Sequence, residues 1–348
     1  MYQHNFLAKD RILKRLSEMG DPLEKITKYV DFELFRPTLE KTVIPHNRDY
    51  TKGGRPRFDA VMMFKILLLE DWYNISNDRV EYLINDRLSF QRFLNLTIDE
   101  KVPDSNTIWD FREALSKNGT DKELFELFTK LLEEKGIIKH EGSIVDATFV
   151  DVPRQRNTRE ENRQIKEEGQ TPKEWQGKPH KLAQKDVDAR WTKKNDEVHY
   201  GYKDHVKVDE KTKLIVCFEV SDASVHDSQK FLDVLDKSDN KVYADSAYIG
   251  VELHAQVHVF YPDLVLMCCE RGFRNKPLTL EQKVSNRLKS KVRARVEHVF
   301  GFMSVSMGGI FVRTIGLVRA KAQIARCNLA YNLKRYVFLA GARLISVL

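Results

Sequence analysis

The 348-residue chain has little of what small secreted or membrane-spanning proteins rely on. It has four cysteines, and none forms a C-x-x-C pair with histidine nearby. That excludes the common zinc motifs and a disulfide framework. Cys268 and Cys269 lie in the apolar run VLMCCE and read as ordinary buried thiols. Ten prolines and sixteen glycines, without period, exclude collagen-like and low-complexity chains. No uncharged apolar stretch approaches the ~20 residues needed to cross a bilayer. The opening MYQHNFLAKDRILKRL lacks the apolar core of a signal peptide. A soluble, cytoplasmic protein with no membrane partner is the expectation.

What is present is 42% hydrophobic and 31% charged, enough for two or three domains. The formal charge is +7, and it is uneven. From Arg271 to the end there are sixteen Lys/Arg against Glu281 and Glu297, a surplus of +14, which leaves −7 on residues 1–270. A basic segment of that size suggests a polyanion partner, although a solvated helix face is the plainer reading. The segment also carries Phe300, Phe302, Tyr331 and Tyr336 at helical spacing, so it belongs to a fold.

The front of the chain reads as helical. A short helix is expected near Asp10–Met19 within an arm covering residues 1–50. From Arg55, RPRFDAVMMFKILLLEDWY has a broad apolar face. Ser76 or Asn77, Ser89, Ser105 and the pattern Thr120-x-x-Glu123 mark further helix starts, and Gly136 a stop. The period then changes. SIVDATFVDV, Ser143–Val152, is rich in β-branched residues and predicts a strand. A polar stretch at about 154–197 reads as an insertion or long loop. His199–Asp209 and Leu214–Ser221 predict a hairpin, Asp227 caps a helix, and Lys241–Ala244 and Leu264–Cys269 predict two more strands. Long helices are expected over Ser285–Met303 and Ala320–Arg343. The fold class is therefore α/β, a mixed sheet with flanking helices behind an all-α front.

Three carboxylates stand out. Asp146 lies inside the apolar strand IVDATFV, where an uncompensated carboxylate costs several kcal/mol. Asp245 ends the strand KVYAD, where ligands of open α/β sheets bind. Glu297 is a lone acid on a basic helix, beside the apolar stripe Leu288, Val292, Val296, Val299 and Met303. Each has a plainer reading: a hydrogen-bonded core acid, a cap of the next turn, and a partner of Arg293 one turn earlier. Together they could supply oxygen ligands to hard divalent cations. Two Mg²⁺ ions, replaceable by Mn²⁺, could then clamp both oxygens of an in-line phosphoryl transfer.

Five segments, in order, give the chain a resemblance to the DDE transposases of bacterial insertion sequences, of the IS-five type. They are RPRFDAVMMFKILLLEDWYNISNDRVEYLINDRLSFQRFLNL, SIVDATFVDVP, DARWTKKNDEVHYGYKDH, VYADSAYIG and RARVEHVFGFM. The resemblance implies an RNase H-like catalytic domain over residues 141–343, with the insertion at about 154–197. Ahead of it would lie a helical DNA-binding domain, 51–140. It implies Asp146, Asp245 and Glu297 as the catalytic, metal-binding triad, and Arg293 as a contact to DNA phosphate. Ser290 and Ser304 stand where a sister family has Tyr and Lys on this helix, so contacts of those types are not expected here. Lys289, Arg295 and Lys203 are further candidate DNA contacts. Implied partners are double-stranded DNA, both element ends and target, and a second copy of the chain, which places the protein at the nucleoid. His205, His226 and Trp191 are weaker candidates, the last as a stacking platform for a flipped base. Two other classes compete: a nuclease that cuts without joining, and a transposase-derived repressor or architectural protein.

Overall fold

The structure, a computed structural model, describes residues 8–43, 56–97, 99–169, 171–194, 196–272 and 277–345. Eight helices come first: α1 Ala8–Glu18, α2 Pro22–Tyr29, α3 Arg36–Val43, α4 Ala60–Tyr73, α5 Asn77–Asp86, α6 Leu88–Leu94, α7 Ser105–Asn118 and α8 Thr120–Glu134. The described residues 8–43 of the arm expected to hold one helix thus hold three, and its residues 1–7 and 44–50 lie outside the described set. Helix α4 is buried almost all round, from Ala60 to Trp72, and the other helices pack about it. Asp59 starts it by accepting from the Met62 N–H at 2.9 Å, and Asn74 ends it in the left-handed region at φ 49°. Ser76 caps α5 as expected. Asp104 caps α7 in place of Ser105, whose position is already helical. No side chain caps α8: its cap is Gly119, which closes α7 with a positive φ, and the Thr120 hydroxyl bonds Thr42 instead.

The sheet follows: β1 Ser143–Asp151, β2 Arg190–Lys194, β3 Glu197–Asp209, β4 Ile215–Asp222, β5 Lys241–Ala244 and β6 Val265–Cys268. Its order is β2-β3-β1-β5-β6, with β4 also on β3. Strand β3 is long enough to pair β2 with its first residues and β4 with its last along one edge, while β1 lies along the other. The β4-β3-β1 part is antiparallel, and β1-β5-β6 is parallel. Gly201 sits where β3 bends past β1. At φ 150° it has no room for a Cβ, which would run into the Val150 carbonyl oxygen.

Strand alternation splits the core between two faces. Ile144, Val206 and Val208 pack with Val296, Val299, Leu329 and the front helices in one continuous core. Val145, Val242 and Ala244 pack the other way, against Phe231, Val234, Tyr248 and Val257. The segment after Asp227 supplies that second layer as two 3₁₀ turns, Asp227–Lys230 and Leu232–Val234, rather than the expected α-helix. Helix α11, Val251–Phe260, bridges β5 to β6.

Two expectations are corrected. The polar stretch at 154–197 is ordered around one tryptophan. It holds α9, Arg159–Arg163, α10, Pro179–Ala183, and strand β2. Trp175 is fully buried and donates to Glu161 at 2.6 Å. Glu161 also accepts from Lys181 and completes a capping box with Thr158. An indole with a carboxylate behind it, with Ile165 and Ala189 also buried, anchors the described residues of a largely polar segment. The long helix expected over Ser285–Met303 is two, α12 Leu280–Arg293 and α13 Arg295–Gly301, joined at Ala294 and followed by a π-helical turn, Phe302–Ser306. Only part of its apolar stripe is core: Val296, Val299 and Met303 are buried, but Leu288 is exposed.

Helix α14, Leu317–Gly341, holds the two halves together. Trp72 of α4 donates to the Ala330 carbonyl at 2.9 Å. Asn332 bonds both backbone groups of Ile215 in β4, at 2.8 and 2.7 Å. Fully buried Arg326 reaches Asp71 of α4 at 2.6 Å and Asp121 of α8 at 3.0 Å. Removing one member of a buried ion network strands the others, at about 3–5 kcal/mol. Arg326→Ala is therefore expected to lower stability by about that amount in urea denaturation. Combining Arg326→Met with Asp71→Asn and Asp121→Asn should recover most of the loss. Equal stability of wild type and Arg326→Ala would show the network to be idle.

Candidate active site

Strand β1 runs through the middle of the sheet, so Asp146 is enclosed by its neighbours. Burial raises its pKa to about 6. Its own Ala147 N–H and the Arg293 guanidinium oppose the shift, while the charges of Glu297 and Asp245 add to it. The carboxylate accepts from Ala147 N–H at 2.8 Å and from Arg293 Nη1 at 3.1 Å. Arg293 thus bonds Asp146, across the helix–sheet gap, and not Glu297 one turn on.

Parallel pairing places Asp245. Ser143 lies beside Val242 and Ile144 beside Tyr243. The same offset carried two residues further sets Asp146 level with Asp245. Asp245 follows β5 directly, and its carboxylate accepts the Ser246 N–H at the start of a 3₁₀ turn, Ser246–Tyr248. The capping role weighed for it is present, in a short turn. Glu297 is exposed on α13, which is pinned to the sheet by Val296 and Val299.

Sequence reasoning gave Tyr248 no role. Its hydroxyl is buried without a hydrogen-bond partner. Burial drives its pKa up, and the charges of Asp146, Asp227 and Asp245 drive it further. Its place three residues after Asp245, in VYADSAYIG, was the available signal.

The cations expected to meet DNA are engaged within the chain. Lys203 bonds Asp227 at 2.8 Å and the Val225 carbonyl at 2.6 Å, and is buried. Lys289 donates to the Cys268 carbonyl at 2.9 Å. Arg295 holds Glu210 by carbonyl and carboxylate, both at 3.0 Å. Lys283, Arg287 and Lys291 of α12 are the exposed cations of this region. His205 pairs with the Ser221 hydroxyl at 2.8 Å, and burial pushes its pKa down to about 4. Its strand partner is Ala147, so it faces away from Asp146. His226 caps the turn at Asp227 through Ser228. Trp191 packs on Tyr200 with centroids 4.6 Å apart.

Among the described residues, one group of His, Cys, Asp or Glu brings its ligand atoms within 4.8 Å of one another: His140, Asp236 and Asp239. By proximity it could hold a metal ion. Both carboxylates already bond Lys207 Nζ, at 2.6 and 2.8 Å, so a buried ammonium sits where the cation would. The group lies at the start of β5, roughly 20 Å along the strand direction from Asp245.

Residues 138–333 match the family model of the transposase DDE domain, and residues 10–114 that of a transposase domain, DUF772. The first match covers more than half of the chain and includes Asp146, Asp245 and Glu297. The chain belongs to the DDE-transposase family. It also aligns with a cryo-EM structure of the piggyBac transposase synaptic complex with hairpin DNA, at a TM-score of 0.46 and 12% identity, over 94% of this chain and 77% of that one. Among the described residues, no helix is long and apolar enough to cross a membrane.

The raised pKa of Asp146 sets a stability window. The folded protein holds this proton more tightly than the unfolded chain. The stabilisation is full below pH ~4 and is lost as pH rises through about 6. With chelator present, Asp146→Asn should be more stable than wild type at pH 7.5, by on the order of 2 kcal/mol, and no more stable at pH 4. Denaturant melts at both pH values check this. An Asn variant weaker at both would contradict it.

Proposed function

We propose that the protein is an insertion-sequence transposase of the IS-five type, cutting phosphodiesters at its element's ends and joining them to target DNA. The observation that carries this reading is the sharing of one electrostatic field by three carboxylates. Asp146 and Asp245 each stand two residues past the last β1–β5 pair, and the charges of Glu297 and Asp245 both bear on Asp146. The strand order β4-β3-β1-β5-β6, antiparallel then parallel, supports an RNase H-like domain over residues 141–343. Residues 51–140 would form the helical part that reads the terminal inverted repeats.

The donor set suits a hard divalent cation by its chemistry, and its three carboxylates, which do not lie within 4.8 Å of one another, would have to close on the ion. All three groups offer carboxylate oxygen, and the cluster makes the ionised form of Asp146 unfavourable until positive charge arrives. Magnesium held by Asp146, Asp245 and Glu297, as two ions or with Mn²⁺ in its place, supplies Lewis acidity to a phosphodiester. Everything else falls to the chain. Asp146 must be ionised, as it is above about pH 6, and Arg293 must release it. The freed guanidinium is then available to a DNA phosphate, a bidentate acceptor suited to it. Glu297, on the solvent face of α13, can close the site once DNA is present. The Tyr248 hydroxyl can donate to Asp146 or Asp245 and hold its orientation. Lys283, Arg287 and Lys291 can track the backbone, so binding should weaken steeply with salt. Two ends to be joined imply two copies on DNA.

The test uses purified protein and a duplex carrying the element's ends. Wild type with Mg²⁺ should cut at the end and join a pre-cut end to target DNA. Asp146→Asn, Asp245→Asn and Glu297→Gln should each lose roughly a thousandfold in cutting while binding ends within about threefold of wild type. Cutting without joining would establish a nuclease instead. Wild-type cutting by any of the three variants would remove that residue from the site.

A further inference from the structure

Lys334, near the C-terminal end of α14, is the chain's most unusual amine. Its Nζ lies 5.6 Å from the ring centre of Trp72, 6.0 Å from Tyr73 and 5.8 Å from Phe302. Among the described residues no carboxylate or carbonyl accepts from it. It is only half-buried, so solvent and small molecules reach it. The chain's other enclosed lysines differ. Lys203 and Lys207 are tied to carboxylates. Lys65 also lies over two rings, but it donates to the Phe93 carbonyl and is buried. Among the described lysines, Lys334 alone combines an aromatic cage, partial exposure and a nitrogen with no hydrogen-bond acceptor.

We propose that Lys334 is an acylation site, modified by small acyl donors of the acyl-phosphate class in preference to the chain's exposed lysines. Rings attract an ammonium only weakly, and they do not replace the water that the cage removes. Desolvation therefore pushes the Lys334 pKa down to about 8, with no anion to restore it. A sizeable fraction is neutral amine at pH 7.5, the state that acts as a nucleophile. Its lone pair forms the C–N bond at the acyl carbon, and the carbon–oxygen bond to phosphate breaks. Phosphate leaves with that electron pair, and the amine's surplus proton passes to solvent. The product is neutral, which suits an aromatic enclosure better than the cation it replaces. The position gives the change a consequence. Trp72 and Tyr73 close α4, and Phe302 opens the turn that follows the helix of Glu297, so acylation removes a charge where the helical front meets the catalytic half.

The test is timed labelling of the full chain with acetyl phosphate from pH 6.5 to 10, with peptide mass spectrometry. Lys283 and Lys291, exposed on α12, serve as internal references. At pH 7.5 Lys334 should label about tenfold faster than either, allowing for its lower basicity, with a rate midpoint near pH 8. Phe302→Leu opens the cage and should cut that advantage severalfold while the folded far-UV signal is kept. Labelling of Lys334 no faster than Lys283 and Lys291, or a midpoint near pH 10, would overturn the proposal. So would an unchanged advantage in Phe302→Leu.

Discussion

Strand β1 is the element on which the rest depends. It lies antiparallel to β3 on one side and parallel to β5 on the other, so both its edges are used. A strand in that position reads as nearly continuous apolar sequence, and this one does, except at Asp146. Parallel pairing to β5 then places Asp245 near that acid, because the strands point the same way and Asp245 follows the last residue of β5. The face that Asp146 shares with Val206 is the face on which α13 lies; Arg293, at the end of α12, bonds Asp146 there, and the charge of Glu297 bears on it. The carboxylates are close in field because of strand order, not because of any local motif.

The charge asymmetry has a second meaning. Part of the basic C-terminal segment is matched by carboxylates of the front helices and of the sheet within the molecule. Arg319 forks onto Glu113 with both contacts at 2.7 Å, Arg326 holds Asp71 and Asp121, Lys321 meets Glu219, and Arg293 meets Asp146. Helix α14 therefore sets cations against individual carboxylates on both of the layers it joins. The surplus facing solvent is concentrated on α12, where Lys283, Arg287 and Lys291 are interleaved with exposed Leu280, Val284 and Leu288. A net charge counted along the sequence overstates what is free to meet DNA.

Much of the order of helices and strands was legible because it rests on local periodicity, and the burial of Asp146 because it is one polar residue in an apolar run. Asp146 is the plainest case: seven residues of sequence suffice to show that it is out of place. What was not legible depends on distant partners. The order around Trp175 needs Glu161, fourteen residues earlier, and Lys181. The break at Ala294 interrupts a run with no glycine or proline to announce it. The internal ties of Lys203 and Arg295 come from Asp227 and Glu210, at separations that no window spans. Tyr248 was visible as a letter but not as a buried hydroxyl among three acids.

The most direct measurement is titration of the DNA-free protein with Mn²⁺ by calorimetry, comparing wild type with Asp245→Asn and with the pair Asp236→Asn and Asp239→Asn. The account predicts that wild type and the 236/239 pair bind the ion alike, and that Asp245→Asn loses it. Retention of Mn²⁺ by Asp245→Asn, with loss in the 236/239 pair, would place the metal at the far end of β5 and contradict the assignment.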